Sequence, residues 1–152
     1  NDIAKVDVTD DGTYLYIKVT TNEDIVVEAD KTNNLNILLS IQGANGAKWE
    51  GYDYIINRTP TAIGGTTAAL EKVAVNNQFE WGKTADCACY LGGKTFAVKI
   101  ALSDLGLSAG EAFTVDFKVA DGISSQGDII NYYIDGDCAP IGRLNYRYNS
   151  GK

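Results

Sequence analysis

Phe113-Thr114-Val115-Asp116-Phe117-Lys118-Val119 alternates apolar and polar residues without a break. A two-residue period puts every large apolar side chain on one face of an extended strand. The same period recurs in Tyr14-Leu15-Tyr16-Ile17-Lys18-Val19, with Leu15, Ile17 and Val19 inward, and in Thr95-Phe96-Ala97-Val98-Lys99-Ile100, with Phe96, Val98 and Ile100 inward. In Leu35-Asn36-Ile37-Leu38-Leu39-Ser40-Ile41 the inward set is Leu35, Ile37, Leu39 and Ile41. Each reads as a half-buried antiparallel strand. Weaker strands are expected over Asp2 to Val8, Tyr52 to Arg58, Ala68 to Val75, Gln78 to Trp81 and Cys87 to Leu91. Asp10-Asp11-Gly12 is a hairpin signal, and Asn76-Asn77 and Gly92-Gly93 read as further tight turns, because Gly and Asn accept positive φ. No segment sustains a helical period. Leu102-Ser103-Asp104-Leu105-Gly106-Leu107 reads as one helical turn, capped by Ser103 and ended by Gly106. Nine or ten short strands at this spacing predict an all-β, antiparallel β-sandwich of jelly-roll type, formed as a single domain over residues 1–152.

Composition narrows the function classes. The chain carries 20 acidic and 13 basic residues, a net charge of -7. The basic residues are scattered, so no footprint for nucleic acid or an anionic membrane is expected, and no stretch is long enough to span a bilayer. Histidine is absent, which removes the commonest general base, the Ser-His-Asp triad and histidine-based zinc sites. Methionine is absent too, position 1 included. The chain is therefore expected to be a processed or excised piece, with any export signal upstream.

Chemistry concentrates in Trp49-Glu50-Gly51-Tyr52-Asp53-Tyr54-Ile55-Ile56-Asn57-Arg58. Read as one strand, it places Trp49, Asp53, Ile55 and Asn57 on one face, and Glu50, Tyr52, Tyr54, Ile56 and Arg58 on the other. Flat rings beside planar hydrogen-bonding groups suit a sugar, whose C–H faces stack on rings and whose hydroxyls take bidentate partners. Trp49 and Trp81, the two tryptophans, are candidate stacking rings; the alternative is core or rim packing. Arg58 could fork onto vicinal hydroxyls or pair with Glu50 or Glu71. Arg143 reads as pinning an acidic loop.

Cys87 and Cys89 share a strand face and are badly placed to pair with each other; either could meet Cys138. Buried apolar thiols are the favoured reading. Asp7, Asp10, Asp11, Asp121, Asp128, Asp135 and Asp137 are candidate ligands for a structural calcium, but no motif supports one. Most are expected to satisfy turn backbone instead. Glu50, Asp53, Glu71 and Glu80 could be imagined as a glycosidase pair, yet nothing fixes their separation, and an enzyme is not expected.

Several segments in order carry a resemblance: Asp10-Asp11-Gly12-Thr13-Tyr14-Leu15-Tyr16, the Trp49 to Arg58 run, Leu70-Glu71-Lys72, Ile100 to Leu107, Phe117 to Asp121, and Gly127 to Tyr148 with its Gly136-Asp137-Cys138-Ala139-Pro140-Ile141-Gly142-Arg143. Together they resemble the C-terminal domains of large secreted glycan-degrading proteins of gut-type anaerobic bacteria, which look related to family-nine carbohydrate-binding modules and the wider DOMON-like β-sandwiches. Two positions depart from the pattern. Ser40-Ile41-Gln42-Gly43 stands where relatives carry an acidic turn, and Val119 where they often carry Trp.

The resemblance implies a non-catalytic carbohydrate-binding module, extracellular or at the cell surface, without a cofactor. It would hold a polysaccharide or oligosaccharide near a catalytic domain of the same parent chain. Its expected site is Trp49, Trp81, Tyr52, Tyr54 and Arg58. The alternative is a structural or protein-interaction domain of a multidomain surface protein with no glycan site. A haem domain, by analogy with other DOMON-like folds, would need Met or His ligands that this chain lacks.

Overall fold

The computed structural model describes residues 1–28 and 34–151. Its strands are β1 (Ile3–Asp10), β2 (Tyr14–Thr21), β3 (Asn36–Ile41), β4 (Tyr54–Ile56), β5 (Thr67–Val73), β6 (Trp81–Gly92), β7 (Thr95–Ala101), β8 (Thr114–Asp121), β9 (Asp137–Ala139) and β10 (Tyr146–Asn149). Among the described residues helix is confined to a 3-10 turn at Leu102–Leu105 and one α-turn, α1 (Asn131–Ile134). The all-β, antiparallel expectation holds. The expected two sheets are not separately bonded: one path runs β1-β2-β7-β6-β5-β4-β3-β8-β10, with β9 added on β8.

This sheet curls until its ends nearly meet. Among the side-chain contacts that bridge the gap, the Tyr148 hydroxyl donates to Asp10 at 2.5 Å and the Ile3 N–H donates to the Asp137 carboxylate. The alternating strands explain the interior. Leu15, Ile17, Val19, Ile37, Leu39, Ile41, Phe96, Val98, Ile100, Val115, Phe117 and Val119 all point into one buried cluster, each contributing roughly 1.5–3 kcal/mol on burial.

A second cluster forms on the outer face of β3, β4, β5 and β8. Leu38, Ile55, Val73 and Ala120 point outward there and are covered by Trp49, Tyr52, Ile123, Tyr132 and Cys138. The covering comes from loops, chiefly those before β4, before β6 and after β8.

The hairpins behave as their sequences suggest. Asp11 accepts from the Thr13 and Tyr14 N–H groups at 2.9 and 2.8 Å, and Gly93 takes φ +53 after β6. Two expectations need correction. The segments 78–81 and 87–91 are not two strands, because β6 runs unbroken from Trp81 to Gly92; its first half lacks an apolar alternation that would reveal it. Ser103 does not cap the helical turn. That role falls to Ala101, with no side-chain cap, although Gly106 at φ +72 does end it.

Candidate functional site

The Trp49 to Arg58 run is a turn followed by a short strand rather than one strand. Trp49 and Tyr52 exchange backbone hydrogen bonds at 3.0 and 2.8 Å, with Glu50 at φ +50 and Gly51 at φ +85 between them. Two successive positive φ values mark the tight hairpin turn whose twist matches flanking strands. The turn folds Trp49 and Tyr52 down onto the outer cluster, while Tyr54, on β4, points into the interior one. Tyr52 and Tyr54 therefore do not share a face.

The five expected site residues are not assembled into a stacking shelf. Trp49 is 4% exposed and packs edge-on against Phe79, Trp81 and Tyr132, with centroids 4.7, 6.2 and 5.7 Å away. Trp81 is half-buried beside it, its indole N–H turned inward without a hydrogen-bond partner among the described residues. Tyr52 is buried and donates its hydroxyl to Asn145 at 2.6 Å; burial raises its pKa well above the usual phenol range. Tyr54 lines a cavity of about 200 Å³ at the end of the sheet with Gln42, Lys72, Leu105 and Leu107, and the Lys72 ammonium stands 5.9 Å from its ring centroid. Arg58 forks onto Glu71 at 3.0 and 2.9 Å, which is its structural alternative realised.

The neighbouring polar residues also have structural work. Asp53 is buried, accepting from the Ile41 N–H at 2.7 Å and from Lys48 at 2.5 Å. Asn57, at φ +62, donates to the Asn34 and Leu35 carbonyls and accepts from the Thr61 N–H. Arg143 does not pin an acidic loop: it is exposed and forms no ion pair with a described residue. Asp128 and Asp135 accept from the Ile130 and Ser124 N–H groups, as turn acids do. Among the described residues no cluster of three acids or thiols is placed to hold a metal.

The three cysteines are free thiols. Cys87 and Cys89 point into the interior cluster and Cys138 lies in the outer one, so the sheet itself separates them. Desolvation pushes the Cys87 thiol up to about 12.

The open aromatic surface lies elsewhere, on the outer face of β1, β2, β7 and β6. A groove of about 540 Å³ runs there, lined on its outward side by Asp7, Thr9, Tyr16, Lys18, Ala88, Tyr90, Ala97 and Lys99. The strand register builds it. One cross-strand row reads Asp7, Lys18, Ala97, Tyr90; the next reads Thr9, Tyr16, Lys99, Ala88. The two alanines leave the floor low, and the tyrosines and lysines stand around it.

Both tyrosines are held. The Tyr16 hydroxyl donates to Asp11 at 2.7 Å, and the ring sits 6.4 Å from that of Tyr14. Tyr90 is 61% exposed. A carbon added at Gly92 would come within 3.2 Å of the Tyr90 Oη, so the phenol lies along β6 over Gly92. With strands about 4.8 Å apart and residues about 3.4 Å apart along them, the two tyrosine Cα positions are about 12 Å apart. Tyr90 was missed from the sequence, yet its signal was there: Cys87, Cys89 and Leu91 point inward, which puts an aromatic residue on the outward set.

Compared with family models, curated proteins and solved structures, the chain matches none. Among the described residues, no helix is long and apolar enough to cross a membrane.

Proposed function

We propose that the protein is a non-catalytic carbohydrate-binding module whose ligand lies along the outer groove of β1, β2, β7 and β6. The observation that carries this reading is Tyr90: a phenol ring laid over Gly92, largely open to solvent, at the edge of a groove whose other side holds Tyr16. Sugar C–H faces stack on such rings, and Thr9, Lys18 and Lys99 offer polar contacts at the rim. Two rings about 12 Å apart at their roots favour an oligosaccharide or a polysaccharide segment over a single sugar. The proposed architecture is a jelly-roll-like sandwich in which the two halves of the curled sheet face each other.

A binding role is favoured over hydrolysis because Asp53 and Glu71 are committed to Lys48 and Arg58. Neither Asp53 nor Glu71 stands free across a cleft, as a member of a glycosidase pair must, which leaves the exposed Glu50 and Glu80 without either buried acid to work with. On this reading the module is extracellular or surface-displayed and keeps a catalytic domain of its parent chain near the glycan, raising the effective concentration. Calorimetry against plant, host and microbial glycans tests it directly. Binding is expected at modest affinity, lost in Tyr90→Ala and Tyr16→Ala; silence across the panel rejects it.

One observation favours a second reading as a protein-interaction domain. Ile130, Ile134, Ile141 and Leu144 are 48, 74, 80 and 69% exposed, an unusual load of bare aliphatic surface for one stretch of tail. Glycan binding that ignores Tyr90, with a partner domain lost on Ile134→Asp and Ile141→Asp, would decide for it.

A further inference from the structure

We infer that the groove selects an anionic saccharide, one bearing carboxylate or sulfate groups. This rests on the carbohydrate reading and deepens it.

The argument is the distribution of charge. The protein as a whole is acidic, at -7. Among the described residues, Lys5, Lys48, Arg58, Lys83 and Arg147 are paired with side-chain carboxylates. Lys118 is buried against the Pro140 carbonyl. Among the described residues Lys18, Lys72, Lys94, Lys99 and Arg143 have no such acid partner, and of these Lys18 and Lys99 line the same groove. They lie on adjacent strands in diagonal register, Lys18 opposite Ala97 and Lys99 opposite Tyr16. The Lys99 ammonium rests 4.1 Å from the Tyr14 ring centroid, a contact that holds its position without supplying a carboxylate.

The one carboxylate on the groove, Asp7, is already engaged by Lys5 at 3.0 Å. The groove thus carries two ammonium groups outside any salt bridge on an acidic molecule, with Asp7 across the strand pair from Lys18 and Asp11 on the Tyr16 hydroxyl. Two ammonium groups beside stacking rings suit a sugar that carries negative charge on its periphery. A neutral sugar would offer the two ammonium groups hydroxyl oxygens to donate to, but no opposite charge, and charge-assisted hydrogen bonds are the stronger ones. Because both lysines are exposed, their contribution is screened by salt, with a Debye length of about 10 Å at 0.1 M.

The test uses matched pairs differing only in charge. Calorimetry at low salt compares homogalacturonan oligomers as free acids with the same oligomers fully methyl-esterified, and dextran sulfate oligomers with dextran. The uronate and sulfate arms distinguish the two sources of negative charge. At least one anionic member is expected to bind ten-fold or more tightly than its neutral twin. That preference should collapse in Lys18→Gln/Lys99→Gln and survive in Lys94→Gln, which lies outside the groove. Equal affinity within both pairs overturns the inference while leaving the carbohydrate reading intact, as does a preference that the double variant retains. Silence toward these probes and the full neutral panel removes both.

Discussion

The outward faces of the two halves of this sheet have opposite fates. On β3, β4, β5 and β8, outward Leu38, Ile55, Val73 and Ala120 are roofed by Trp49, Tyr52 and Tyr132. On β1, β2, β7 and β6, outward Tyr16, Lys18, Tyr90 and Lys99 stay bare around a groove. The aromatic-rich half is therefore a second core, and the sparser half is the open surface. Aromatic density in a sequence marks packing demand as readily as recognition; what separates the two is whether a loop returns to cover the ring.

The sharpest way to break this comparison is to cross Trp49→Ala with Tyr90→Ala. Removing a buried indole that three other rings contact should cost about 3–5 kcal/mol of stability, read by urea denaturation. Tyr90→Ala should shift stability by no more than about 0.5 kcal/mol yet abolish the proposed glycan binding. If Trp49→Ala left stability untouched, the covered half would not be a core.

Arg58→Ala comes next. It strands Glu71, itself 7% exposed, without its forked partner. Breaking a fully buried pair costs about 3–5 kcal/mol; with the Arg58 side chain one-third exposed, about 1–3 kcal/mol is expected. Rescue by Arg58→Ala/Glu71→Gln would locate the loss in the uncompensated carboxylate. Glycan affinity per folded molecule should not change, since this pair belongs to the covered half.

A smaller change sharpens the open half. Gly92→Ala puts a carbon 3.2 Å from the Tyr90 Oη, so the phenol must shift by a few tenths of an ångström from its place over the strand. Affinity should fall several-fold with the fold intact, measured by calorimetry and circular dichroism. Unchanged affinity would mean that the ring's resting position is irrelevant to binding.

The smallest effect is electrostatic. The Tyr14 N–H, the Tyr16 hydroxyl and the Thr13 N–H hold the Asp11 carboxyl down from its ordinary 3.8 to about 2. A depressed folded-state pKa contributes stability above the unfolded value, lost as pH falls through the folded one. Asp11 should therefore favour folding above about pH 4 and lose that contribution toward pH 2, a slope that Asp11→Asn removes. Carbon-detected NMR of the Asp11 carboxyl would check it; a midpoint near 4 would show the hairpin contacts to be absent in solution.

How far the sequence could be read differs by element. The strands with clean alternation, β2, β3, β7 and β8, were legible with their inward sets, because each strand's period is written in consecutive residues. The Trp49–Tyr52 turn was not, since Glu50 is an unusual residue for positive φ and the flanking aromatics imitate a strand. Arg58 was legible only as two alternatives, and choosing between them needed the register that sets β4 beside β5.

The chain alone settled which residues of β2, β3, β7 and β8 face inward, that the thiols Cys87 and Cys89 share a face, and that the molecule is acidic. Those are properties of local period and composition. The tertiary structure alone decided which outward faces are covered, because that depends on loops returning from far along the chain: Trp49 and Tyr132 meet across eighty-odd residues to close one half. Among the described residues no comparable segment closes over Tyr90. A strand's second face has no local signature for cover, so neither the buried Trp49 nor the open groove could be read before the fold was in view.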